Sequence, residues 1–417
     1  MSGVHGGDRG ARELTESSDP NEPRRSRQRR RRPRINAESR FEERVKPLEL
    51  FFDLVFVLAF TQCTALMAHR PTWEGVAQAM LVLGVLWWAW VGYAWLTSVI
   101  DPEEGAVRIV MFGATAGLLV AGLCAPEAFG DRALAFAIAY GLVRGAHIVL
   151  FLIAARDDPN LRRSVLGLAM STALGVGLLI GASFADGGVQ YALWIVALLA
   201  DFGGPALFGA DGWTLVPAHF AERHGLIIIL ALGESVVALG AGADVALGAE
   251  VYVAAVLGVG IAAAVWWIYF DVVALVTAQR LEQAPAGRPR NGLARDSYSY
   301  LHFPMVAGIV LAAFGLEESL PHLDDHLHLV PAFALYGGVA IYLLAHVVLR
   351  LRNAHTISKT RLGVAVLLFA LWPVATEVTA LTSLVAVNVV LWLMIAYENA
   401  HYDERRYRLR HGLDPAG

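Results

Sequence analysis

The chain has 417 residues, of which 56% are hydrophobic and 17% charged, with a formal net charge of −4 and a mean hydropathy of +0.52. A soluble domain is nearer a quarter charged, and here the apolar excess comes in long blocks rather than in strand-like alternation, which excludes an ordinary water-soluble globule. The two cysteines, Cys63 and Cys124, both lie within apolar stretches, so a disulfide framework or a cysteine-based metal site is excluded as well.

The first 46 residues are Gly, Ser, Pro and Glu with the basic run Arg24 to Arg34. This composition predicts a disordered basic cytoplasmic tail that orients the chain and touches anionic lipid headgroups. No aromatic or motif context accompanies the arginines, so no nucleic-acid partner is expected. The next segment opens on acids and lacks a small-residue cleavage site, so it does not read as a secretory signal.

From Leu48 onward, stretch after stretch is apolar over the ~20 residues a helix needs to cross a bilayer. The first half contains Leu48–Ala68, Gly75–Ile100, Ala106–Ala125, Asp131–Ala155, Arg163–Phe184 and Val189–Gly209. The second contains Ala221–Gly242, Glu250–Val276, Ser297–Leu316, Leu329–Leu351, Arg361–Thr379 and Leu381–Tyr397. The fold class is therefore all-α: a polytopic helical membrane bundle of about 12 spans.

Basic residues crowd Arg156–Arg163, Arg280–Arg295, Arg350–Arg361 and Arg405–Arg410, while the intervening loops carry almost none. With an even span count, this asymmetry puts both termini on the cytoplasmic side of the plasma membrane. A weak repeat accompanies the count. Ala146-His147-Ile148-Val149-Leu150 matches Ala345-His346-Val347-Val348-Leu349, and Arg162 matches Arg361, both at an offset of 199 residues. Leu193-Trp194 and Leu391-Trp392 fall at nearly that offset too. These matches predict two parallel six-helix halves, 47–210 and 211–402, followed by a second basic tail, 403–417.

Several spans carry an ionisable residue at depth, where it costs about 2.5–3.5 kcal/mol if it faces lipid. Glu49 and Asp53 share one face of the first span, and Thr64 falls on nearly the same line. Arg144 and His147 stand in the fourth span and Asp201 in the sixth, just before Gly203-Gly204-Pro205. Glu222 and Arg223 stand at the mouth of the seventh span, where an ion pair is the simplest role, and Glu234 lies deep inside it. Asp271 follows an aromatic run in the eighth span, His302 opens the ninth, and His346 and Glu377 lie in the tenth and eleventh. Burial of Asp53, Arg144, His147, Glu234 and Asp271 together predicts that they converge on one interior cluster. No HExxH, Walker or GxSxG element is present, so no metal, cofactor or direct ATP drive is expected.

Four segments carry a family resemblance: Glu49-Leu50-Phe51-Phe52-Asp53-Leu54-Val55-Phe56-Val57; His219-Phe220-xx-Arg223 with Leu232-Gly233-Glu234; Tyr269-Phe270-Asp271; and His302-x-Pro304-Met305-Val306-Ala307-Gly308-Ile309. Together they resemble the bacterial low temperature requirement A family over about residues 45–400. The resemblance implies an integral membrane protein named for a cold-growth phenotype, and it implies no particular reaction. The expectation from the residues is a secondary transporter or channel-like protein whose carboxylates and histidines relay protons or cations for an unknown small solute or ion. Two alternatives stay open: a membrane-embedded enzyme acting on a lipid or isoprenoid, with Asp53, Asp271 or Glu234 as general acid or base, and a non-catalytic protein of cold and envelope stress.

Overall fold

A computed structural model describes residues 44–208, 212–242 and 248–410. The Arg24–Arg34 run and residues 411–417 lie outside the described residues. The first half comprises α1 (Pro47–His69), α2 (Trp73–Thr97), α3 (Gly105–Cys124), α4 (Ala133–Ala154), α5 (Pro159–Ala182) and α6 (Gly187–Leu207). There follow α7 (Pro217–Gly242), α8 (Ala249–Phe270), α9 (Val273–Gln283) and α10 (Arg288–Ala294). The chain continues through α11 (His302–Ser319), α12 (Leu329–Ala354), α13 (Lys359–Leu371) and α14 (Ala380–Arg410). Among the described residues, 12 helical stretches are long and apolar enough to cross a membrane, as the sequence predicts. The eighth joins α8 to α9, and the ninth joins α10 to α11.

Local chemistry explains where these helices begin. Pro47 opens α1, and Glu49 reaches back to accept the Lys46 N–H at 2.9 Å, closing the first turn. Thr72 caps α2 by accepting from Gly75 N, and Asp158 caps α5 by accepting from Asn160 N and Leu161 N ahead of Pro159. Between α10 and α11 the backbone widens into a π-turn over Arg295–Tyr300, and such turns recur at functional sites.

α2 occupies the centre: its most apolar window is 89% buried, against 22% for the span built on α13, which is left to face lipid. Around it pack α1, α4, α6, α7 and α11. The tightest seam lies between α11 and α12, where a Cβ on Gly308 would sit 2.5 Å from the Gly338 carbonyl oxygen. Small residues at such a crossing let two backbones meet, the usual means of helix association where lipid leaves no hydrophobic drive.

Two expectations need correction. Glu377 is not buried in the eleventh span: α13 ends at Leu371, Pro373 follows, and Glu377 is exposed after the short turn Val374–Thr376. Pro373 has no N–H to give to the carbonyl one turn back, and this stop lies inside a window that looks uniformly apolar. The eighth span is also not one continuous helix. It breaks at Asp271–Val272, leaving Asp271 half-buried at the end of α8.

Candidate functional site

α1 and α7 lie side by side and run parallel, because partners along them keep a nearly constant separation in sequence. Glu49 meets His219 (3.0 Å), Asp53 meets Arg223, and Thr61 meets Glu234 (2.6 Å). From Asp53 to Thr64 and from Arg223 to Glu234 is eleven residues on each helix, three turns or about 16 Å. The two helices therefore hold polar groups at two levels.

The first level is a fully buried ion-pair network. Arg223 Nη2 donates to the Asp53 carboxylate, while Nη1 donates to Thr97 Oγ1 (2.9 Å) and lies 3.7 Å from Glu49. Trp90 Nε1 donates to Asp53 Oδ1 at 2.8 Å, and Arg223 also lies over the Trp90 ring, 5.5 Å from its centroid. Every charged group here is 0% exposed. A guanidinium suits this task because its planar fork serves two acids and a hydroxyl at once. Glu222, one residue earlier, is exposed and accepts the Val45 N–H at 3.1 Å.

The second level is Glu234, 1% exposed, whose carboxyl is met by the hydroxyls of Thr61 and Thr64. Glu317, half-buried on α11, is near enough for its charge to act on Glu234. Between the two levels the facing surfaces are apolar: Phe56 and Phe60 on α1, Ile227 and Ala231 on α7, all at or below 1% exposed.

A separate network lies across α2. Trp90 and Thr97, seven residues apart, share the α2 face that meets the first level, whereas Gly92 lies about 200° round the helix. On that side Arg144 donates to Asp201 Oδ1 (3.3 Å) and Thr172 Oγ1 (2.6 Å), and the Tyr140 hydroxyl donates to the same Asp201 carboxylate. His147 Nδ1 lies 3.4 Å from Arg144. The glycine is needed: a Cβ on Gly92 would sit 2.6 Å from the guanidinium.

A third group is histidine-rich. His302 Nδ1 donates to the Ser297 carbonyl within the π-turn (2.8 Å), which leaves Nε2 to accept from the Tyr269 hydroxyl (2.9 Å). His224 and His346 likewise give their Nδ1 protons to carbonyls one turn back, Phe220 and Tyr342.

The expected single cluster of Asp53, Arg144, His147, Glu234 and Asp271 is thus distributed over distinct sites. Asp53 is served by Arg223, Arg144 by Asp201 with His147 beside the guanidinium, and Glu234 by threonines rather than by a cation. Sequence reading passed over Tyr140, Thr172, Thr61, Trp90 and His224. It also missed the buried pair between Arg361 and Glu398, both of whose bonds are 3.0 Å. One signal was available: Tyr140, Arg144 and His147 recur at helical spacing on one face. No group of three or more His, Cys, Asp or Glu suited to a metal ion occurs among the described residues.

The model for the bacterial low temperature requirement A protein family (LtrA) matches residues 44–396. An uncharacterized protein of Rhizobium meliloti (strain 1021) is 28% identical over 374 residues, spanning 84% of this chain and 89% of that protein. No solved structure matches.

Proposed function

This chain belongs to the bacterial low temperature requirement A protein family and is a multi-pass membrane protein, and we propose that it works as a secondary transporter or channel-like protein relaying protons or cations. One observation carries the reading: polar groups at two levels on α1 and α7, separated by a closed apolar layer of Phe56, Phe60, Ile227 and Ala231. A closed layer between two polar sites is what an alternating gate requires, since either site can then open to its own side only. Glu234 is the proton or cation site, reached from the Glu317 end. Its hydroxyl partners suit a titrating carboxyl, because they can donate to the charged form and accept from the neutral one. The Asp53–Arg223 network anchors the opposite end.

The parallel heads of α1 and α7 also support two six-span halves in the same orientation, each opening with one of these helices. Both termini are then cytoplasmic in the plasma membrane, with the Arg24–Arg34 run on anionic headgroups. A reporter active only outside the cytoplasm, inserted between Leu323 and His328, should work, and in the His355–Ser358 loop it should be silent. The reverse pattern overturns the orientation.

The transport reading is tested by proton and cation flux in proteoliposomes across a pH step. Glu234→Gln fills the same space and hydrogen-bonds without titrating, so flux is expected to fall at least tenfold with expression and melting temperature unchanged. Full flux in a well-folded Gln variant removes Glu234 from the relay. No flux of any ion in the wild type returns the buried groups to interhelical adhesion or to lipid chemistry.

A further inference from the structure

A cavity of about 30 Å³ lies beside the Arg144–Asp201 network, on the α2 face away from Asp53. Its walls include Gly92, Arg144, Trp213, Asn291, Arg295 and Ser299, and otherwise are largely indole, aliphatic and proline surface. Two buried donors in this wall have no partner: Arg144 Nε, on a residue 1% exposed, and Trp213 Nε1, on a residue 7% exposed. No carboxylate stands among the described lining residues. Its two lining cations, Arg144 and Arg295, pair with Asp201 and Asp296, neither of which stands in the wall, and Asp296 is shared with Arg352.

From this geometry we infer that the cavity is a binding site for a small monovalent anion of halide size. An orphaned buried donor costs about 1–3 kcal/mol, and the two donors, one of them cationic, belong to residues that line this one cavity. Water needs roughly 10–15 Å³, so the space suits one halide or two waters. A water accepting both bonds must aim its own hydrogens elsewhere along a mostly apolar wall. A halide has none to aim. Gly92 and Pro205, which lies inside α6, shape the space, Gly92 by leaving room for the guanidinium. The site is independent of the Glu234 relay and would stand if that reading fell.

The test is thermal melting of the detergent-solubilised protein, titrated with sodium chloride against sodium gluconate at constant ionic strength. A ligand that binds only the folded state raises the melting temperature in a saturable way. Chloride should do so and gluconate should not. Trp213→Phe keeps the aromatic ring and removes only the N–H, so it should weaken half-saturation by about ten- to a hundredfold, the range for one hydrogen bond to a charged group. Because Arg144→Met endangers folding through Asp201, Arg144→Lys serves as the second variant; it keeps the charge, loses Nε–H and should also weaken chloride. Equal melting shifts in chloride and gluconate, or unchanged half-saturation in Trp213→Phe, overturn the site.

Discussion

Arg223→Met is expected to lower stability by about 3–5 kcal/mol, the range found when one partner of a buried ion pair is removed. The guanidinium is 0% exposed and serves Asp53, Glu49 and Thr97 together, so its loss strands carboxylate charge in an apolar bundle. Trp90 still donates to Asp53 Oδ1, but one neutral donor does not offset a missing cation. Asp53→Asn should be milder, because Asn keeps the shape and an acceptor for Trp90. The double variant Asp53→Asn/Arg223→Met should recover part of the single Arg223 loss, since it removes charge from both sides. Melting of the purified protein in detergent measures all three. An Arg223→Met variant within about 1 kcal/mol of wild type would mean the pair contributes no more than an exposed one.

The α11–α12 seam yields the second large effect. Gly308→Leu puts a Cβ 2.5 Å from the Gly338 carbonyl oxygen and 2.9 Å from the Tyr342 nitrogen, and neither backbone atom can rotate away. Overpacking of this kind costs about 1–3 kcal/mol when side chains can yield, and more here because the helices themselves must part. Gly315→Leu should act alike, since its Cβ would lie 2.5 Å from Leu335 N. Gly363→Leu on α13 is the control: it meets nothing within 4 Å and stands exposed, so it should be nearly neutral. The readout is the monodisperse fraction on size exclusion together with the melting temperature. A Gly308→Leu protein as stable as Gly363→Leu would remove close backbone packing as the basis of this seam.

The spans and the buried acids are legible in the sequence because each depends on composition within about 20 consecutive residues. The burial of Glu49, Asp53, Glu234, His302 and His346 follows from the same windows, without reference to any neighbour. Where the window misled, a local signal was present but outvoted. Pro373 ends α13 ahead of Glu377 inside an otherwise apolar run. The signal for α8 ending at Asp271 is weaker still, since Val272 and the residues after it are ordinary helix formers in lipid.

Partnership is another matter. Arg223 and Arg144 are equally plausible partners for Asp53 in the sequence, and only the packing of α1 on α7, with α4 across α2, assigns one to Asp53 and the other to Asp201. The parallel course of α1 and α7, the threonine pair around Glu234 and the cavity walled by Arg144 and Trp213 join residues 50 to 200 positions apart. The amino-acid sequence by itself determined that this chain crosses the membrane about 12 times and carries charge inside, because transfer into lipid is a local cost summed along one helix. Which charges neutralise one another was decided only by tertiary structure, because in the bilayer every helix is comparably apolar and small residues and hydrogen bonds choose its neighbours.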